Sequence, residues 1–571
     1  MKGKMDINHE ISRLCGTAEF KERIVQFLHE ICLIDTSPDS DVVGLGAREK
    51  QVFDVIEQAL NDLSFKQTRL NRKLISPDIE MHPAYSNPYY ALSDSPTDKL
   101  SAQDVYQDRC NLIYTVDHLQ SEDGRNVALN AHIDVVKPFF SPKIRGEYLH
   151  GRGSIDDKGN VAVIIGALAV LDALCKTDQI VLKNNISAMF VIDEEIGGNG
   201  SLDLALDKDL KSRYDSVLIL ECAGNNIYPA NRGAVYFKCE AGFSINDGEG
   251  SGRKYSLAEV FVYAILEMEK EGEAILEESD HPLFPHRPVQ TCNGIIGPYG
   301  THPSTTCDEV KFVLMNCDPL KGLTKILEKG LADYINKYGD KTTIQDPTTG
   351  GMRLEKHFNC CYLGKDEIEI TVYGIAGHSG ALRQNDAAIT KWAYMLKALL
   401  DQKHKGKLDF FAELTETSDP KSLVLEGSQG FLPTHSIKEV KQRIATAFGR
   451  GIQLYTKTTD LSLNKINSEV TFNKLHNNAF ACDPDSASMR SALKAGLQSG
   501  IIGEEDPIVG WDVSCDARLF AKEYPDMPVI TAGVGNLIDA HGDHEKIYLP
   551  DLFDCIYFTT LFLLMETGSL S

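Results

Sequence analysis

Apolar residues spaced three to four apart over "FKERIVQFLHEICLID" (20–35) and "AREKQVFDVIEQALNDL" (47–63) predict two amphipathic helices, with "TSPDSDVVGLG" as the turn between them. The periodicity then breaks. "SPDIEMHPAYSNPYYALSDSPTDK" (76–99), rich in Pro, Ser, Asp and Tyr, reads as an irregular surface insertion. Beyond it the strand-like runs "NLIYTV", "NVALNAHIDVV", "ISAMFVID" and "SVLILE" alternate with helical stretches at 160–175 and near 200–212. Such alternation predicts an α/β sheet with helices on both faces, and in these sheets the loops at the carboxyl ends of strands build the site.

From about 233 to 475 the pattern changes to two copies of a strand–helix–strand–strand–helix unit. The first, about 233–345, has "AVYFKCEAGFS", a helix at 256–270, "CNGIIG", "EVKFVLM" and a helix at 319–337. The second, about 355–475, has "EIEITVYGIAGHSG", a helix at 386–400, "SLVLEGS", a helix at 437–448 and "SEVTFNKL". The likeness lies in element order, not residue identity. After Asp483 the α/β pattern returns with a helix at 485–497, "MPVITAGVG" and a helix at 551–565. The chain therefore reads as one domain in two segments, 1–232 and 476–571, interrupted by an insertion at 233–475.

A chain of 571 residues needs a large core and more than one domain. Its 58 Lys and Arg against 82 Asp and Glu leave a net charge of −24, which argues against nucleic acid and anionic membrane surfaces as partners. No apolar signal stretch is visible near the N-terminus, and the longest apolar run, "VAVIIGALAVLDALC" from Val161, is interrupted by Asp172 and reads as a buried helix. The 14 cysteines follow no metal-finger spacing and read as reduced thiols, so the expected location is cytoplasmic.

The candidate chemistry falls at the ends of the predicted strands. "NAHIDVV" places His132 and Asp134 two apart on one strand face, so Asp134 can hold the imidazole nitrogen that faces away from a metal. "HGRGSIDDKGN" carries Asp156 and Asp157 in a glycine-rich turn; a nucleotide loop is the rival, but the GxxxxGK[ST] spacing is missing and acids repel phosphate. "VIDEEIGG" sets Asp193, Glu194 and Glu195 side by side, which alone would be a solvated acidic turn. Two such neighbours can also divide labour, one on a cation and one free for proton transfer. "SVLILECAGNN" ends in Glu221, and "GVGNLIDAHGDHEKI" supplies His541, His544 and Glu545. Two imidazoles and three carboxylates without thiolate suit zinc, cobalt or manganese, as a pair of ions sharing one carboxylate.

Taken in order, "HIDVV", "GRGSIDDKG", "DEEIGG", "GHSG", "CDARLF" and "AHGDHE" resemble the dinuclear-zinc peptidase family of aminoacylases, acetylornithine deacetylases, succinyl-diaminopimelate desuccinylases, glutamate carboxypeptidases and carnosinase-like dipeptidases. The resemblance spans nearly the whole chain. It implies a catalytic α/β domain interrupted by a ferredoxin-like lid. By position, His132, Asp156 and Glu221 match the ligands of one zinc, and Asp156, Glu195 and His541 those of the other, with a cis peptide bond between Asp156 and Asp157. Glu194 matches the general base that takes a proton from a zinc-bridging water and returns one to the leaving amine, and Asp134 the residue that orients His132. His378, in "GIAGHSG", matches the lid histidine that stabilises the oxyanion, and Arg518 the arginine that clamps a substrate carboxylate. His544 has no ligand counterpart and reads as a surface residue, while Glu545 holds an acid position expected to support His541.

Two departures pull apart. The lid is about twice the usual length, as in monomeric dipeptidases whose duplicated lid imitates a dimer, which implies a monomer with His378 acting in cis; a homodimer is the alternative. Glu221 stands where the dipeptidase branch usually has Asp, and Glu is usual in carboxypeptidases and N-acyl-amino-acid deacylases. The lid decides for hydrolysis of dipeptides or short peptides, with deacylase or carboxypeptidase action on N-acyl amino acids or peptides as the alternative. A non-catalytic binding protein is the remote reading, and no ligand position is missing to favour it.

Overall fold

The computed structural model describes residues 7–91, 100–117, 124–244, 255–296, 305–316, 322–345, 351–364, 366–378, 386–415, 422–472, 476–537, 539–542 and 544–570. Two units emerge: Met1–Gly233 with Pro282–Pro285 and His476–Ser571, and Ala234–His281 with His286–Leu475.

In the first unit the apolar runs form a seven-stranded sheet, in the spatial order Thr68–Leu74, Cys110–Val116, Ile186–Val191, Val127–His132, Ser216–Leu220, Val529–Ala532 and Ile227–Tyr228. Its four central strands, from Ile186–Val191 to Val529–Ala532, are mutually parallel, so their carboxyl ends share one edge. Each of them is buried along its whole length, which is why these segments read as continuous apolar runs instead of alternating ones. The edge strand Thr68–Leu74 escaped the sequence reading because most of its side chains face solvent and leave no apolar pattern.

Helix Lys158–Lys176 has the length and composition of a membrane span, yet 89% of its apolar window is buried inside the fold. It packs against Ala18–Cys32 and Leu549–Glu566, and its interrupting acid, Asp172, accepts from the Ser64 amide at 2.9 Å. Of the irregular surface insertion expected at 76–99, residues 76–91 are irregular but packed into the unit. They form two 3-10 turns with Ile79, Ala84, Tyr85 and Ser86 buried, and Ser86 exchanges hydrogen bonds with Asn199 at 3.1 and 2.7 Å. The Pro and Ser residues of the stretch hide apolar anchors spaced too irregularly to show a period. Residues 92–99 of that stretch lie outside the described residues.

In the second unit, strands Gly233–Phe243, Thr291–Ile296, Ser422–Phe431 and Ile466–Thr471 pair in the spatial order 2-3-1-4, and helices Leu257–Glu278 and Ile437–Thr459 follow the first and third of them. Strands Glu309–Met315, Phe358–Tyr362, Glu367–Tyr373 and Phe411–Leu414 repeat that order, with helices Leu323–Tyr338 and Ala388–His404 in the same places. Each set is a ferredoxin-like module. The second lies wholly between strands two and three of the first, so the modules are nested, not set end to end near residue 345 as the sequence suggested. Element order cannot reveal which strands pair, and the two strands that complete the inner sheet carry weak signals: Phe358–Tyr362 is largely exposed and Phe411–Leu414 is only four residues long. A glycine marks the close helix crossing in each module. A Cβ on Gly451 would meet the Ala264 backbone at 2.3 Å, and one on Gly330 the Met395 Cα at 2.7 Å.

Candidate active site

The shared edge of the parallel strands gathers the acidic and imidazole residues of the first unit. His132 is the last residue of its strand, the Asp193–Glu195 turn follows Val191, Glu221 follows Leu220, and His541 enters from the chain after Val529–Ala532. Asp156 stands at the centre. Its Oδ1 lies 3.1 Å from His132 Nε2 and its Oδ2 lies 3.1 Å from His541 Nε2. Glu221 Oε1 is 3.5 Å from His132 Nε2, and Glu195 Oε2 is 3.0 Å from His541 Nε2. The five residues thus divide into two triplets that share one carboxylate, His132–Asp156–Glu221 and His541–Asp156–Glu195.

The supports are hydrogen bonds to the main chain. The Asp156–Asp157 peptide bond is cis, and Asp157 accepts from the His132 amide at 3.0 Å and from Asn160 at 2.6 Å. The carboxylate of Asp134 accepts from the amides of Glu194 and Glu195 at 3.2 and 3.1 Å, while His132 Nδ1 is nearer the Asp134 carbonyl, 3.0 Å, than its carboxylate, 3.4 Å. Asp134 therefore ties the acidic turn to the histidine strand, and its main chain shares the task of orienting the imidazole. Glu545 does not reach for His541 as expected. It accepts from the amides of Ile155 and Asp156 at 3.0 and 3.3 Å and from Arg152 at 2.5 Å, holding the segment that carries the shared carboxylate.

Burial works against charge on His132, Asp156, Glu194, Glu195 and His541. Even so, the imidazoles beside Asp156 hold its carboxyl well below the usual range, and the surrounding carboxylates raise His132 and His541 well above theirs. Burial prevails at Glu195, pushed up to about 7 despite its histidine partner. At Glu194, burial together with Asp516 and Glu221 raises the carboxyl far above its ordinary value. A buried set of this kind stabilises positive charge at its centre, and imidazoles with carboxylates are the donors that divalent transition ions prefer. Cys222, unmarked by the sequence, brings its Sγ to 4.0 Å from Asp156 Oδ2; burial and the neighbouring carboxylates push that thiol well up, so it stays protonated. The residues fit a metal.

Glu194 keeps a side chain 13% exposed on the His132–Glu221 side of the cluster. Arg518 differs from the substrate clamp that the resemblance implied. Its side chain is 1% exposed, and its terminal nitrogens donate to the Cys515 and Gly197 carbonyls at 2.6 and 2.8 Å. It holds the glycine turn behind Glu194, with its guanidinium 3.9 Å from that carboxylate. His544 is exposed, as a surface residue should be. His378 belongs to the second unit, in the two-residue strand Gly377–His378 paired with Thr305–Thr306; its side chain lies outside the described residues. The Ile375–Asp386 bridge closes the base of its loop, and Asp386 is anchored by Tyr334 at 2.5 Å and by Lys391.

A buried cluster of two imidazoles and three carboxylates at strand ends, beside a partly exposed glutamate, defines a candidate site for divalent metal. Residues 128–565 match Peptidase family M20/M25/M40, and the chain belongs to that family of metal-dependent peptidases. A Peptidase M20 domain-containing protein of Schizosaccharomyces pombe is 33% identical over 120 residues, 21% of this chain and 28% of that protein. A probable carboxypeptidase of Trichophyton verrucosum is 29% identical over 121 residues, 19% of this chain and 25% of that one. The chain thus spans only about a quarter of the length of these curated relatives. Among solved structures, human carnosine dipeptidase 1 superimposes with a TM-score of 0.58 at 13% identity, over 99% of each chain, and so shares the fold of catalytic domain and lid.

Proposed function

We propose that this protein hydrolyses the amide bond of dipeptides or short peptides with a free carboxylate. His132, Asp156 and Glu221 would hold one divalent ion and Asp156, Glu195 and His541 a second, zinc being the natural choice and cobalt or manganese able to replace it. Bound there, the ions supply Lewis acidity for the scissile carbonyl and for the attacking water. The carboxylate of Glu194 takes the proton of that water and delivers it to the departing amine nitrogen. Asp134 keeps the Glu194 amide in place, and Arg518 braces the glycine turn. His378 stabilises the oxyanion from the lid. Two lid modules on one chain support a monomer in which that histidine serves its own site.

The observation that carries this reading is the division of Asp156, whose two oxygens face different imidazoles at 3.1 Å each, in a chain of a peptidase family. Glu221 and the probable carboxypeptidase among the relatives support a second reading, action on N-acyl amino acids or at a peptide's carboxyl end. The test is release of amino acid from a dipeptide panel set against N-acetyl, N-succinyl and folyl-type substrates, each with added Zn, Co or Mn. Fastest turnover of dipeptides is expected. Turnover confined to the acyl substrates would select the second reading, and no amide hydrolysis with any metal would overturn both.

A further inference from the structure

Asp193 opens the acidic turn, and neither its neighbours nor the two ligand triplets explain it. Its backbone has φ +67°, a left-handed conformation that side-chain-bearing residues seldom adopt and that persists where the surroundings over-determine it. Here they do. Arg109 NH2 donates to Asp193 Oδ1 at 2.6 Å and NH1 to Oδ2 at 3.4 Å. The same guanidinium grips Glu49 through Nε at 2.9 Å and NH2 at 2.5 Å, and NH1 also reaches the Tyr90 hydroxyl at 3.0 Å and the Val105 carbonyl at 3.3 Å. Every donor of the fork is spent, with side-chain exposures of 1% for Arg109 and 2% for Glu49 and Asp193. On the other side of the turn, the Asp193 carbonyl accepts from the Gly198 amide at 2.7 Å, and Asp134 takes the next two amides.

We infer that Arg109 and Glu49 are positioning residues for the reaction, acting through Asp193 to fix the backbone from which Glu194 reaches the attacking water. The inference rests on Glu194 being the base. Asp134 holds the Glu194 and Glu195 amides and Arg518 the Gly197 carbonyl, which leaves the leading end of the turn at Asp193 to be fixed by the Arg109 fork. Both residues precede the segment that matches the peptidase family, 128–565, so the third helix, Val42–Asn61, and the approach to strand Cys110–Val116 add a brace that the family match does not contain. Misplacement by about 1 Å can cost a catalytic group on the order of a hundredfold in rate.

The test is steady-state kinetics on the best dipeptide, per bound metal, with metal content measured by mass spectrometry for wild type, E194Q, D193N and E49Q. Asn keeps the size of Asp and tolerates a left-handed backbone, so D193N removes the charged anchor with little else. D193N is expected to lower kcat by about ten- to a hundredfold with KM within about twofold and metal content unchanged, and E49Q to lower kcat several-fold in the same manner. A merely structural brace would reduce the folded or metal-loaded fraction and leave turnover per metal at the wild-type value, and that result in D193N overturns the inference. If D193N does not fold, E49Q decides by the same criterion. E194Q keeps the two failures apart: full turnover there removes the base itself, whereas wild-type kcat in D193N beside an inactive E194Q removes only the brace.

Discussion

Arg109 sits between two carboxylates, Glu49 and Asp193, and Arg443 among three, Glu271, Glu278 and Glu439. Arg109 is buried in the catalytic unit. Arg443, on the lid helix Ile437–Thr459, has a side chain 19% exposed and reaches a Glu278 that is 50% exposed. Three charged groups in low dielectric are costly to assemble and more costly to leave unpaired, whereas a cluster that opens to solvent through Glu278 and Glu439 gains little from its pairs. Arg109 fixes the atoms of one turn. Arg443 ties the outer seam of two packed helices, where apolar contacts already hold, and the lid keeps its own buried pair in Lys391–Asp386.

Experiments can widen or collapse that contrast. The largest effect belongs to the site: chelation should abolish amide hydrolysis, and Glu194→Gln should retain metal while kcat falls by roughly 10² to 10⁴, as stopped assays with metal analysis will show. Next, Arg109→Met strands two buried carboxylates and should lose about 3 to 5 kcal/mol in chemical unfolding; a loss under about 1 kcal/mol would make it the equal of Arg443. In the lid, Gly451→Val forces a side chain into the Ala264 backbone and should cost about 1 to 3 kcal/mol by the same measurement, with kcat nearly unchanged. Arg443→Met should cost less than about 1 kcal/mol and lose its effect in high salt.

That last variant also has a signed pH dependence. Hydrogen bonding and proximity to Arg443 hold the Glu278 carboxyl below its ordinary value of 4.5. A carboxyl with a depressed folded-state value contributes stability above the unfolded value and loses it as pH falls through the folded one. The deficit of Arg443→Met should therefore be full at neutral pH and shrink below about pH 4, read from thermal midpoints across that range.

The catalytic half was legible because a buried parallel strand is an uninterrupted apolar run, and the residue that ends it is conspicuous when it is His132 or Glu221. The turn "DEEIGG" was visible as a cluster of carboxylates after a strand, but alone it reads as a solvated acidic turn, and only its company with His132, Asp156, Glu221 and His541 gives it chemistry. Arg109 was not, since it stands between Asp108 and Cys110 in no motif and finds Asp193 only through the fold. Arg518 was read by analogy as reaching outward, and only its contacts with the Cys515 and Gly197 carbonyls show it turned inward. In the lid, the order of elements revealed two modules but not their nesting, because strand pairing between residues more than a hundred positions apart leaves no local mark.

Nesting has a consequence for how such a chain can be cut. Strands Thr291–Ile296 and Ser422–Phe431 are antiparallel neighbours, with Ile296 opposite Leu425, so the whole inner module hangs from the mouth of one β-hairpin. Its entry and exit already lie side by side, so a short turn could close the outer sheet without a change of register. The two modules are also welded by packing: Ala388–His404 lies on Leu257–Glu278, Asn293 of the outer sheet donates to Thr390 at 3.0 Å, and Lys403 reaches the buried Glu259 at 2.7 Å. Cutting out 297–421 therefore keeps the register but strips the cover from one face of the outer helix, and a shortened lid needs that face rebuilt with polar residues.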